Sequence, residues 1–292
     1  MAQVIEQFTV HTPLGIRLWD PVTDRQIRGD MHVVAYPAHS PHARSNAYST
    51  RGGVYTFRHL KGMRGIEYGY TTGDEVSPAE KHDFIVEISD KLARYLSVSL
   101  RIELPLSYRG VFLSDTAAGS PHEIPKGLYL YSAPTRSVPG WMAIIRGELV
   151  NQETGDAAAH ALLRVMTVDG EEWYGVSDAE GRYTIMLPYP DLPAGFSGSP
   201  LSPGHKPLAD QFWDMDLEVF YSPATQVSLP GTIIPSYLSI LSQDAATIWP
   251  IAADDGGMAV ASLPIVLEYN KSTNPRTDGF TTLLVSPAVS SP

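Results

Sequence analysis

Ser177-Asp178-Ala179-Glu180-Gly181-Arg182-Tyr183-Thr184-Ile185 and Ser49-Thr50-Arg51-Gly52-Gly53-Val54-Tyr55-Thr56-Phe57 read as two versions of one hairpin. Each ends one strand, turns tightly with glycine at the left-handed position, and opens a new strand with Tyr-Thr. Gly181 and Gly53 supply the positive φ that such a short loop demands, at no steric cost. The agreement extends upstream. Ile16 aligns with Ile144, and each begins a strand ending in a Thr-containing polar turn, Asp20-Pro21-Val22-Thr23-Asp24 in one copy and Asn151-Gln152-Glu153-Thr154-Gly155 in the other. A second run follows each turn, His32 to Tyr36 and Ala161 to Val168. Hairpins that share Gly and Tyr by composition alone would not also share this order of elements, so one supersecondary plan is used twice.

Short β-type runs bounded by Gly, Pro, Asp or Asn fill the rest of the chain: Val98 to Leu104, Gly127 to Tyr131, Asp216 to Tyr221 and Leu263 to Tyr269 among them. Such spacing marks sandwiches or barrels. The 24 Gly and 24 Pro among 292 residues favour frequent reversals over long helices. Only Ser89 to Leu96 and Ser236 to Ala246 suggest helical turns. The expected fold class is therefore all-β: two related immunoglobulin- or transthyretin-like β-sandwich modules, an N-terminal module over 1–131 and a second over 141–270. The Pro-rich stretch 132–140 is the expected linker. A tail follows over 271–292, with a β segment at Phe280 to Val285. Phe280, Leu283, Leu284 and Val285 either complete their own module or add to a neighbouring subunit's sheet through main-chain hydrogen bonds.

The formal charge of -11 disfavours binding to phosphate backbones, so no nucleic-acid partner is expected. Cysteine is absent, which removes disulfides, thiol nucleophiles and cysteine zinc sites and fits folding in a reducing cytoplasm. Met1 to Val10 lacks the basic and apolar regions of a signal peptide, and no apolar run is long enough to span a bilayer. Cytoplasmic assembly without direct membrane insertion is the expectation.

Catalytic constellations are not legible. His39 and His42 flank Pro41 with no carboxylate nearby, and His160 and His205 stand alone. Asp254-Asp255-Gly256-Gly257 and Gly73-Asp74-Glu75 lack the alternating ligand spacing of a calcium loop and read as turns. Gly195-Phe196-Ser197-Gly198-Ser199 lacks the spacing and the strand-to-helix context of a nucleophile elbow. Glu171 and Glu172 are adjacent, hence on opposite faces of a strand. Trp173-Tyr174, Phe212-Trp213, Phe220-Tyr221, Tyr68 and Tyr70 are core aromatics or a surface platform for sugar or a subunit. No enzyme activity, metal or cofactor is expected.

Trp141 to Pro190 resembles the carboxypeptidase-regulatory-like, or transthyretin-like, module. The resemblance rests on the strand Ile144 to Val150, the Gly155 turn, the strand Ala161 to Val168 and the Asp178-x-x-Gly181-x-Tyr183 hairpin. Thr50, Gly53 and Tyr55 are the echoes of those hairpin markers in the first module. The wider layout, with Leu128 to Arg136 before the second module and Pro188-Tyr189-Pro190 after its hairpin, is similar to accessory structural proteins of phage-tail-like contractile injection systems. That resemblance implies a homo-oligomeric subunit, such as a hexamer, at the cap or cap-adaptor end of the particle and in contact with tube, sheath or cap proteins. A baseplate component and a carbohydrate-binding adhesion protein are the alternatives.

Overall fold

The computed structural model describes residues 12–67, 81–105, 111–112, 126–190 and 211–287. The expectations for Tyr68, Tyr70, Gly73 to Glu75, Gly195 to Ser199, His205 and the end of the tail lie outside these residues. The chain divides into two compact units. The first comprises Met1–Leu92, Ser97–Leu130 and Val227–Tyr237; the second comprises Ala93–Leu96, Tyr131–Gln226 and Leu238–Pro292.

In the first unit the strands are β1 (Gly15–Asp20), β2 (Arg25–Gln26), β3 (Met31–Pro37), β4 (Ser45–Asn46), β5 (Tyr48–Ser49), β6 (Val54–Thr56), β7 (His82–Asp90), β8 (Val98–Leu104), β9 (Val111–Phe112) and β10 (Leu128–Tyr129), with a helical turn α1 (Arg64–Glu67) after β6. They form two sheets. In one, β1 pairs antiparallel with β2 and β6 and parallel with β9 and β10, and β5 adds to β6. The other runs β4-β3-β7-β8, antiparallel throughout.

The second unit repeats this plan with β11 (Met142–Asn151), β12 (Leu162–Thr167), β13 (Glu172–Val176), β14 (Arg182–Pro188), β15 (Phe212–Phe220), β16 (Thr247–Trp249), β17 (Leu263–Glu268), β18 (Ser272–Thr273) and β19 (Leu283–Ser286). Like β1, β11 pairs antiparallel with its hairpin strand, β14, and parallel with late strands, β18 and β19. The opposing sheet runs β13-β12-β15-β17. Alternation along the strands explains the sandwich. Ala143, Ile145 and Leu149 of β11, Leu163 and Val165 of β12, and Met215, Leu217 and Val219 of β15 share one core with Ile248 and Val285. Side chains at alternate positions of a strand point to the same face, so each sheet gives one apolar row to this core.

Three expectations need correction. Ser89 to Leu96 is not a helix: β7 runs through Asp90, because Ile85 to Ile88 pair with both flanking strands and Ser89 and Asp90 continue the pairing with β3. Of Ser236 to Ala246, only Tyr237–Leu241 is helical (α2), and the chain returns to strand at Thr247. Ile16 corresponds to Gly147 rather than Ile144, since Ile16 faces Tyr55 across its sheet and Gly147 faces Tyr183. A Cβ at Gly147 would lie 2.9 Å from Tyr183 Oη, so the glycine leaves room for the ring.

Candidate functional site

The two hairpins share their closing hydrogen bonds. Thr50 N donates to Val54 O at 2.9 Å and Asp178 N to Arg182 O at 2.8 Å; Gly53 N donates to Thr50 O at 2.9 Å and Gly181 N to Asp178 O at 3.1 Å. The side-chain oxygens repeat the match, Thr50 Oγ1 accepting from Val54 N at 3.1 Å and Asp178 Oδ1 from Arg182 N at 2.9 Å. Gly53 and Gly181 have φ of +73° and +78°. The turns after the first strands correspond too: Asp20 Oδ1 accepts from Val22 N, Asn151 Oδ1 from Glu153 N, and Asp24 and Gly155, each four residues on, both have positive φ. Tyr55 and Tyr183 are buried, and burial pushes the Tyr183 phenol pKa up. These bonds close the two turns, and Arg182 and Tyr183 of the second hairpin also border a cleft on their unit.

The tail segment is paired within its own unit. β19 lies between β11 and β16, and Leu283, Leu284 and Val285 are buried while Phe280 is exposed. A strand with a partner on each side has little ladder to offer elsewhere. The 132–140 stretch is likewise tied down within its unit at its start. Ala133 N donates to Arg94 O at 2.9 Å, Thr135 Oγ1 donates to Ala93 O at 2.6 Å, and Arg94 and Arg136 stack on Tyr95.

Among the described residues, no three His, Asp or Glu side chains gather as a metal would require. His39 and His42 are exposed, and burial pulls the His160 pKa down against the opposing pull of Asp178. Asp254 and Asp255 lie in a 3-10 turn closed by Gly256 at φ +77°, where a Cβ at Gly257 would lie 1.9 Å from Ile251 O. The aromatic pairs split by strand alternation: Trp213 and Tyr221 are buried, while Phe212 is exposed.

The most developed polar arrangement lies on the outer face of the β4-β3-β7-β8 sheet, where the sequence suggested nothing. Here Val227–Tyr237, which belongs to the first unit, crosses strands β3, β7 and β8. Leu229 packs on Val34, Tyr36 and Ile85. This second cover explains why β3 is buried on both faces, with only His32 exposed. Polar groups of the sheet then capture the strap's carbonyls. Tyr36 Oη lies 3.1 Å from Pro230 O, Arg44 Nη2 donates to Gly231 O at 3.0 Å, and Ser99 Oγ lies 2.9 and 3.0 Å from Ile234 O and Pro235 O. Ser99 N also donates to Pro235 O at 3.1 Å.

Glu87, on β7, organises these donors. Its carboxylate accepts two bonds from Arg44, at 2.8 and 3.0 Å, and one from Tyr36 Oη at 2.8 Å. Arg44 also stacks over the Tyr36 ring at 4.6 Å. Burial alone would raise the Glu87 pKa, but the hydrogen bonds from Arg44, Tyr36 and Thr232 outweigh it and hold the carboxyl below its usual range. Burial, with the neighbouring Glu87, pushes the Tyr36 phenol up to about 12. Such charge-assisted forks fix geometry as well as adding energy. The loop 38–44 between β3 and β4 is what delivers Arg44, and Gly231, at φ +79°, lets the strap lie against Pro41, whose Cβ would be 2.5 Å from a Cβ at that position. The sequence signal for this site was the Pro230-Gly231 and Pro235 punctuation, which reads equally well as an ordinary loop.

No family model matches the sequence, and no curated protein matches it. Among solved structures, the chain is similar to a shaft pilin from Lactobacillus rhamnosus GG, with 10% identity, 97% of this chain and 100% of that chain covered, and a TM-score of 0.24. It is similar to the Bacillus anthracis TIE protein at 10% identity, covering 88% of this chain and 44% of that one with a TM-score of 0.22. A streptococcal ancillary pilin shares 12% identity over 76% of this chain and 56% of that one, with a TM-score of 0.18. Likeness at these scores bears no weight in assigning a role to this chain.

Proposed function

We propose that the protein is a structural component that works through its surfaces. The observation that carries this reading is the use made of its best-formed polar constellation. Tyr36, Arg44 and Ser99 direct hydrogen bonds to the backbone of another segment of the chain, with Glu87 holding Tyr36 and Arg44 in place, the chemistry of segment recognition rather than of proton or group transfer. Two sandwiches of one plan, each with its late strands tied back onto its first strand, suit a repeated structural unit.

The finer reading, a subunit of a phage-tail-like contractile injection particle at its cap or cap-adaptor end, rests on the layout resemblance alone. Its test is purification of the full chain from cells that carry the particle genes, with light scattering on the eluted species. Co-elution with tube, sheath or cap proteins, or a ring-sized homo-oligomer, supports it; a strict monomer with no companions overturns it. A second reading, carbohydrate adhesion, is favoured by the exposure of Trp141 and Phe212, at 61% and 54%.

A further inference from the structure

A cleft of about 420 Å³ lies on the second unit, over the pairing of β11 with β14 and beside the loop that leads into β19. Arg146, Arg182 and Arg276 all line it, in a chain whose net charge is -11. Arg182 is engaged by Asp178 and Glu180, at 2.8 and 2.9 Å. Arg146 and Arg276 have no ion pair or hydrogen-bond partner among the described residues.

Both free guanidinium groups stand on fixed backbone. Arg146 follows the fully buried Ile145 on β11 and faces Thr184 of β14. Arg276 sits between Pro275 and Thr277, both buried. Thr277 Oγ1 donates to Trp249 O at 2.6 Å and accepts from Leu284 N at 2.9 Å, which pins the loop to β16 and β19. Ligand groups carried on rigid elements hold their geometry better than groups on free loops.

We propose that this cleft binds the carboxylate of an acidic sugar, with Arg146 and Arg276 as its anchors. A guanidinium presents a planar fork that matches a carboxylate with two parallel hydrogen bonds. Glu148 also lines the cleft, opposite Arg182 on the neighbouring strand. Its carboxylate repels a compact polyanion but accepts hydrogen bonds from hydroxyl groups. The combination therefore selects a ligand with one negative charge flanked by hydroxyls. Asn274 and Thr281 add an amide and a hydroxyl to the same lining. The volume lies within the roughly 300–1,000 Å³ of small-molecule sites and leaves room for a sugar ring beyond the carboxylate. This site stands apart from the structural reading, because a particle subunit and a surface adhesin can each carry it.

The test is titration calorimetry of the full chain at low salt with D-glucuronate, D-glucose, inorganic phosphate and a polyglucuronate. Glucuronate is expected to bind, and glucose not. Arg146→Ala and Arg276→Ala, both at exposed positions, should each weaken glucuronate at least tenfold while the thermal unfolding midpoint stays unchanged. Arg146→Lys should restore only part of the loss, since an ammonium lacks the fork. Tighter binding of polyglucuronate would identify a polymer as the source of the sugar, and equal binding a free or terminal sugar; both support the site. Absence of binding by glucuronate, equal binding of phosphate, or wild-type affinity in both alanine variants would overturn it. A loss of particle association leaves these titrations unaffected, so the two readings fail separately.

Discussion

Gly181→Ala should cost the second unit markedly more than Gly53→Ala costs the first, although the two glycines occupy equivalent turns with φ of +78° and +73°. An L-residue in the left-handed region costs about 1–2 kcal/mol at either position. The surroundings then separate them. A Cβ at Gly53 would meet Arg28 Cγ and Gln26 Nε2, each at 2.8 Å, and these long flexible side chains can turn away. The further loss is the bond from Gln26 Nε2 to Gly52 O, worth about 0.5 kcal/mol in an exposed setting. A Cβ at Gly181 would lie 2.4 Å from Leu149 O, a backbone atom of β11 that already accepts from Ala158 N at 2.9 Å. Relief requires the hairpin to move off β11, and forced shifts of this kind add about 1–3 kcal/mol. The totals are about 1.5–2.5 kcal/mol at 53 and about 2–5 kcal/mol at 181. Hydrogen exchange read peptide by peptide assigns the loss to each unit. Asparagine variants separate the two causes, because Asn tolerates the left-handed region but carries a Cβ. Gly53→Asn should regain most of its loss and Gly181→Asn little. Equal costs for the two alanine variants, or full rescue by Gly181→Asn, would refute the reasoning.

Other outcomes follow from single contacts. Tyr183 Oη is buried with no partner among the described residues, so Tyr183→Phe should leave stability unchanged or raise it by about 1 kcal/mol in urea unfolding, because an orphaned buried hydroxyl is unfavourable. Leu229→Ala should cost about 2 kcal/mol, the low end for buried leucine because its cluster is small, and should speed exchange of the Ser99 amide that bonds to Pro235 O. The lowered Glu87 pKa means that its ionised form is favoured on folding, so its contribution is present above the ordinary glutamate range and is lost as pH falls through the folded value. Glu87→Gln should flatten that acid limb in pH-dependent melting. The raised Tyr36 pKa works in the opposite sense: its contribution is present below pH 10 and is lost as pH rises through about 12.

Much of the architecture was legible because it is periodic and local. Alternation in Val98–Leu104 marks a strand, and Gly at positive φ marks turns between strands. The duplicated hairpin was legible because the same backbone path requires the same residue types. Register was not: Gly147 became the counterpart of Ile16 through strand pairing, a long-range property that short strings do not encode. β16 was missed because Thr247–Trp249 is too short to show a period.

The sequence alone thus determined the element type, the repeated turn chemistry and the lack of cysteine chemistry, all matters of residue identity and neighbours a few positions away. Only the tertiary structure decided where distant segments meet. It set Leu283 and Val285 inside their own sheet, and laid Val227–Tyr237 across β3, β7 and β8. It also placed Arg146 and Arg276 in one cleft. These placements depend on contacts between residues about 130 or more positions apart. They are settled by which apolar and polar surfaces remain to be covered once every strand has formed, and that remainder is a property of the folded chain as a whole.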